Sequence, residues 1–431
     1  MSRGLGDVYK RQIEVFRKSR GRAVSVRWFD AGAESDVAGS VDQKTKSLTQ
    51  SLTADLELVM LPLTKPDDLL LVQRLPSNQM KKQLMDAGFE LPEFVPMERS
   101  QMLAERNLHD AAPWAWTPAA VDLAQSFEAA LKHGPPTWQD RDGVFYRKSW
   151  STKRLGEWLT EDDQLDCLCG SEVVGEVVNS VEQFDAARFD FGNRGFGHLI
   201  LKPDLSASGR GQRRFAVSGS LSDRELAELT VLFESQGQVV VEPELDRVMD
   251  FSILFDGQGN LLDWSQQLVG PGRKYLGSVL DKSLFGCAGD VKRFFLADKA
   301  QKVKQVSAWL DQRLRRSGVG SQLSGPFGID AMVYRDVTGQ LKIKPLVELN
   351  PRTTMGHVSL SLSKRLASGA MGQFRIFTVK QWRELGPAVC SLPLVCTHEG
   401  HWKSGVIPLG DVDKAAKLIP VVLVGDAIVK A

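Results

Sequence analysis

A charge excess of either sign, long apolar runs and abundant cysteine are all missing from this 431-residue chain. Lys and Arg number 54 against 53 Asp and Glu, a formal net charge of +1. That balance argues against a general nucleic-acid binder, which needs a basic surplus or stripe to meet phosphates. The longest apolar candidate, Leu418–Val424, is a strand's length and falls short of the roughly 18–20 residues that span a bilayer. Five cysteines (Cys167, Cys169, Cys287, Cys390 and Cys396) are too few for a disulfide scaffold. An odd count also fits a reducing compartment, so the expected location is the cytoplasm. Internal repeats and low-complexity tracts are absent too. What is present, 42% hydrophobic and 25% charged residues, fits a globular chain of two or three domains at about 150 residues each.

The first residues read unlike the rest. Ser2-Arg-Gly-Leu-Gly-Asp-Val-Tyr-Lys-Arg-Gln12 has no apolar run after it, which excludes a signal peptide. Asp7–Gln12 back-translates to GAT GTG TAT AAG AGA CAG, a transposon end used in sequencing-library adapters. The expectation is that residues 1–12 are adapter-derived and that natural sequence starts near Ile13, with a leading domain truncated at its start. Without those residues the balance is 51 basic against 52 acidic.

Beyond them, a helix is expected over Ile13–Arg20, a strand at Ala23–Phe29 and a polar loop over 31–53. Short apolar runs follow at Leu56–Leu61 and Leu69–Val72, then a helix at Asn78–Ala87. This alternation predicts a small α/β layer over 13–112. Residues 113–169 read as a linker and first segment of the next domain, opening on Pro113-Trp-Ala-Trp-Thr-Pro118 and containing a helix from Ala119 to Leu131. Residues 170–244 and 245–375 read as two α+β subdomains. Val303, Val306, Leu310 and Leu314, spaced three, four and four, mark an amphipathic helix in the second. The chain closes with alternating strands and loops over 376–431.

Three elements carry chemistry. In Leu199-Ile-Leu-Lys-Pro-Asp-Leu-Ser-Ala-Ser-Gly-Arg-Gly211, a strand ends on Lys202 and runs into a loop containing Ser206, Ser208, Gly209 and Gly211. Small residues let backbone N–H groups approach phosphate oxygens, and Lys202 adds a point charge. Neither a P-loop nor a Rossmann glycine pattern is present. The second element is a hairpin, Gly328–Arg335 and Leu341–Leu349, turning through Asp336 and Gly339. Glu348 and Asn350 share a face by alternation. With the turn centred on Thr338, Asp330 is expected opposite Leu346 and diagonal to Glu348. Two carboxylates and an amide oxygen among apolar neighbours suit Mg²⁺, with Mn²⁺ as a substitute, and Arg352 follows to meet a developing anion. The third is Gln238-Val-Val-Val-Glu-Pro-Glu-Leu245, whose Glu242 carbonyl and Leu245 amide are candidates for a purine edge. Pro243 cannot donate.

Taken in order, these pieces resemble the ATP-grasp superfamily from about Lys148 to Leu362. The resemblance rests on Lys153 in Ser-Thr-Lys-Arg-Leu-Gly-Glu-Trp-Leu, Lys202 with its loop, the Val-Glu-Pro-Glu-Leu segment, and Gly328-Ile-Asp with Glu348-Leu-Asn-Pro-Arg352. It implies a fold of mixed α/β and α+β class: two α+β subdomains sandwiching ATP, preceded by a small Rossmann-like α/β domain. Lys153 and Lys202 would hold phosphates, Glu242 and Leu245 would meet adenine, and Asp330, Glu348 and Asn350 would bind one or two Mg²⁺. Arg352 would sit near the transferring phosphoryl, with Lys202 assisting. Asp330 stands where many relatives have Glu. The implied activity is an ADP-forming ligase that activates a carboxylate as an acyl phosphate for attack by an amine, on amino acids or peptides. Its partners would then be small molecules, with no nucleic acid and no membrane. A small-molecule kinase and a non-catalytic ATP-binding module are the alternatives. Arg273 and Lys274, in Gly270-Pro-Gly-Arg-Lys-Tyr, are candidates for a substrate carboxylate clamp. His357, the His398-Glu-Gly-His401 stretch, Cys167-Leu-Cys169, Trp114 and Trp116 read as structural.

Overall fold

The computed structural model describes residues 24–39, 43–161, 165–206 and 211–428. The adapter-like residues, the expected helix at 13–20, Ser208 and Gly209 lie outside them. Within these residues the chain divides into two compact units. One is drawn from residues up to Asp36, from Ser40–Trp138 and from His357–Val429, the other mainly from Gln139–Gly356. The divisions therefore fall at 138/139 and 356/357, where the sequence suggested 112/113 and 375/376.

In the first unit a parallel sheet runs in the order Glu93–Pro96, Leu69–Val72, Val24–Trp28, Leu108–Pro113. All four residues of Leu69–Val72 are buried, as expected of a parallel strand covered on both faces. Trp114 packs on Phe29 and Trp116 on Trp28, edge to face. The stretch expected as a loop over 31–53 instead holds helices at Ala33–Val37 and Gln43–Leu56. Its polar composition hides Leu52 and Leu56, four apart and both buried. Asp55 on the same helix is buried and accepts the amides of Ala416, Lys417 and Leu418 at 2.9, 2.7 and 3.0 Å. The apolar run after it is a 3₁₀ helix, Glu57–Leu63. The closing strands belong to this unit, in the antiparallel order Gly372–Thr378, Leu418–Val424, Trp402–Pro408, Val395–Cys396.

The second unit holds two antiparallel layers. The smaller sheet runs Glu176–Val178, Val239–Pro243, His198–Pro203, Arg213–Ala216. Phe184 and Phe191 of the helix Val181–Asn193 and Leu229 of the helix Asp223–Gln236 pack against it. The latter helix opens on a reciprocal cap between Ser222 and Glu225. The larger sheet takes strands in the order Leu341–Asn350, Phe327–Arg335, Asp246–Phe255, Leu261–Val269, Tyr275–Val279. Val303, Val306, Leu310 and Leu314 of the helix Gly289–Ser317 share one core with Phe251, Ile253, Phe255, Ile329, Ala331 and Val333. Alternation turns the intervening residues, Asp250, Ser252 and Asp330, to the opposite face. Helix cover on one face thus leaves a polar row on the other. The fold class is the expected one: a Rossmann-like parallel layer, then two α+β layers.

Candidate functional site

The site grows out of that polar row. Near its turn the hairpin keeps the expected register, with Arg335 opposite Leu341 and Met332 opposite Lys344. Between Met332 and Asp330 it shifts, so Asp330 faces Glu348 directly rather than Leu346. Pro345 lies in the slipped stretch and has no amide to give a neighbouring strand. Pro345, Leu346 and Val347 together oppose Ala331 alone, and Leu346 turns into the core under the helix. The bulge brings the two carboxylates closer than the sequence reading placed them.

Asp330 is held firmly. Its Oδ1 accepts from Ser252 Oγ at 2.6 Å and Gln267 Nε2 at 2.8 Å, and its Oδ2 from Asn350 Nδ2 at 3.1 Å. Burial raises its pKa to about 6, and the charge of Glu348 adds to the rise against the pull of these bonds and of Arg352. A half-buried carboxylate facing a second one, with an amide beside them, is a set of hard oxygen donors. That chemistry fits a hard divalent cation. Asp330, Glu348 and Asn350 would hold it. Among the described residues no group of three or more His, Cys, Asp or Glu side chains is placed to hold a metal ion, here or elsewhere.

The lysine that reaches these carboxylates is one the sequence reading passed over. Lys148, the first residue of the helix Lys148–Leu159, is 3% exposed, and its Nζ donates to Glu348 Oε1 at 2.8 Å and to the Ser206 carbonyl at 2.5 Å. Lys153, five residues on, is exposed. Five residues are about 500° of helix, so the two point some 140° apart. It is Lys148, not Lys153, that the structure brings to Glu348.

Asp204 fixes the start of that helix. Fully buried, it accepts from the Ser149 amide at 2.8 Å, from Gln238 Nε2 at 2.8 Å and from Arg147 Nη1 at 3.0 Å, while its carbonyl takes the Lys148 amide at 3.0 Å. The loop that follows Lys202 is thereby tied to the helix that carries Lys148. Farther along, Gly211 has a φ of +73°, and a Cβ there would lie 2.9 Å from Pro203 Cγ. The loop's return to the sheet requires glycine on both counts.

Lys202 donates to Glu242 Oε2 at 2.6 Å, and Lys344 lies 3.3 Å from the same oxygen. All three residues are buried. The Glu242 side chain is thus a seat for two ammoniums, a role that attention to its carbonyl missed. Burial works to raise its pKa, but the two lysines outweigh that and hold it at about 2. Burial, with Lys344 alongside, pushes the Lys202 ammonium down against the pull of Glu242. Two cations on one anion leave a surplus positive charge. Gly175 runs tight behind the group, with room for no Cβ: Glu242 Cγ would stand 2.6 Å from it.

Of the two suggested clamp residues, one is engaged and the other lies open. Arg273 Nη2 pairs with Glu244 Oε1 at 3.1 Å, its backbone is left-handed (φ 62°), and Lys274 is exposed. Leu245 packs with Cys169, Val173 and Tyr334. His357 lies in the helix Met355–Ser363, and Cys167 and Cys169 are free and buried.

No family model matches the sequence, and no curated protein does. Solved structures do resemble it. N5-carboxyaminoimidazole synthetase from Staphylococcus aureus, complexed with ADP, is 11% identical, with 94% of this chain and 93% of that one covered and a TM-score of 0.48. A biotin carboxylase–ATP-analogue complex from Campylobacter jejuni is 11% identical over 94% and 88%, with a TM-score of 0.49. D-alanyl-alanine synthetase A from Vibrio cholerae is 12% identical over 79% and 92%, with a TM-score of 0.42. Among the described residues no helix is long and apolar enough to cross a membrane.

Proposed function

We propose that this chain is an ATP- and Mg²⁺-dependent ligase of the ATP-grasp kind. It would activate a carboxylate, on an amino acid or peptide, as an acyl phosphate and pass it to an amine. The observation that carries the reading is the bridge made by Lys148. One buried ammonium joins the loop after Lys202 to Glu348, so the cationic and carboxylate poles of the site meet at a single atom.

In this reading Lys202, beside the small-residue loop, receives phosphate oxygens, while Lys148 stands between the phosphates and Glu348. Phosphoryl transfer has a loose transition state, so the protein's task is placement and charge compensation more than covalent chemistry. Asp330, Glu348 and Asn350 hold the metal, which supplies charge neutralisation at the phosphate oxygens when bound. Ser252 and Gln267 fix the Asp330 carboxylate, Asp204 fixes Lys148, and Arg352 faces the growing negative charge. The acceptor carboxylate oxygen bonds to the γ-phosphorus as the bond to ADP breaks. The amine nitrogen then bonds to the acyl carbon, inorganic phosphate leaves and the amine gives up a proton.

The test is ADP release measured against panels of carboxylates and amines. Release that needs both, with an amide product, supports the ligase. Release with one acceptor and a stable phosphorylated product would make the chain a kinase. Tight nucleotide binding with no turnover in any pair would make it a binding module.

A further inference from the structure

Lys344 belongs to no motif, yet it is among the most deeply buried lysines described, at 1% exposure. Its ammonium has two anchors, Glu242 Oε2 at 3.3 Å and the Val173 carbonyl at 3.2 Å. Lys202 reaches the same carboxylate oxygen at 2.6 Å from the adjacent strand of Glu242's own sheet. Lys344 is also the last residue of the hairpin's turn-side register before the slip at Pro345.

A lysine that must meet a ligand phosphate cannot stay fully engaged by a carboxylate. Pulling it away from a lone buried carboxylate would strand that charge, and breaking a buried pair costs about 3–5 kcal/mol. A second ammonium on the same carboxylate removes the penalty. Building on the ATP-binding reading above, we propose that Lys344 is a positioning residue: it remains on Glu242 as a standing counter-ion, so that Lys202 is released to the phosphates of the incoming nucleotide. The assignment of roles follows from anchorage. Lys344 is fixed by a carboxylate and a backbone carbonyl, and Lys202 ends a strand beside the small-residue loop. The backbone at Gly175 lies close against Glu242, leaving no space for a Cβ beside its Cγ.

The test uses the full chain and MgADP, with adenosine as the phosphate-free probe, by calorimetry or competition. Lys344→Gln should lock Lys202 onto Glu242 and weaken MgADP binding by ~30-fold or more, the size of effect seen when one member of a buried charge pair is removed. Adenosine affinity should not move. Lys344→Arg keeps the counter-ion and should bind MgADP like the wild type. The double variant Glu242→Gln/Lys344→Gln removes the lock together with the counter-ion and should recover most of the MgADP affinity. It also decides the matter if the single variant fails to fold, as judged by thermal melting. A loss that persists in the double variant would mean that Lys344 itself meets phosphate, and would overturn the proposal. So would a folded Lys344→Gln that binds MgADP normally. A wild-type chain that binds no MgADP would overturn the nucleotide reading along with the inference, whereas wild-type binding with an unaffected Lys344→Gln sinks the inference alone.

Discussion

Glu242, buried, and Asp330, half-buried, are carboxylates of the same unit whose surroundings push them in opposite directions. Glu242 has two ammoniums on one oxygen and stays ionised down to a pKa of about 2. Asp330 has hydroxyl and amide donors, a neighbouring carboxylate that raises it and Arg352 that lowers it, and its pKa climbs to about 6. Desolvation raises both, so the opposite outcomes come from the charge nearby. One carboxylate is complete without a ligand. The other is pushed toward its protonated form.

The contrast can be broken most severely at its bridge. Glu348→Ala and Lys202→Ala are each expected to abolish ADP-releasing turnover while far-ultraviolet circular dichroism stays unchanged, and normal turnover in either would overturn the site. Next in size is Glu242→Gln, which leaves Lys202 and Lys344 buried with no anion. It should lower stability by about 3–5 kcal/mol, as removing one member of a buried ion group does, read from chemical denaturation. Asp330→Asn should do the reverse at neutral pH. Removing a half-buried charge that faces a second carboxylate is expected to raise the melting temperature modestly and to abolish the further rise that Mg²⁺ gives the wild type.

A pH series sharpens the same comparison. Asp330 has a raised folded pKa, so the folded chain binds more protons than the unfolded one between the ordinary Asp value and about 6. Its contribution to stability therefore falls as pH climbs through that window, and Mg²⁺ should reverse the fall. Glu242 is depressed, so its contribution is present above the ordinary Glu value and disappears only as pH drops toward about 2. A metal-free melting series with no Mg²⁺-sensitive slope between pH 4 and 6 would contradict the Asp330 assignment. The smallest expected effect is that of Lys153→Ala. An exposed side chain outside the site should shift stability by no more than about 0.5 kcal/mol and leave nucleotide binding intact.

What could be read in the sequence was what has a period or a motif. The hairpin, the long amphipathic helix, Lys202 and the Asp330–Glu348–Asn350 set all announce themselves by alternation or spacing. Lys148 and Lys153 sat in one short helical stretch, and only the helix phase, which depends on packing, tells them apart. Lys344 left a faint signal as a lysine inside an apolar strand. The slip that puts Asp330 opposite Glu348 could have been suspected from Pro345, since a proline inside a paired strand calls for a bulge. Asp204, Ser252 and Gln267 are ordinary polar residues whose importance comes from partners up to 78 positions away. The helices in 33–56 were lost because composition outweighed a short Leu52–Leu56 repeat, and their anchor at Ala416–Leu418 is out of reach of any local pattern.

That anchor bears on how the chain is made. Asp55 waits for amides 361 residues downstream. At a synthesis rate of roughly 5–20 residues per second, on the order of 20–70 s separate the emergence of the two halves of the contact. Through that interval a carboxylate destined for full burial stays in water, while the entire second unit leaves the ribosome and is free to fold. The first unit to be translated is thus the last to be finished, and a nascent chain halted after Gly356 would be expected to protect the second unit from protease before the first.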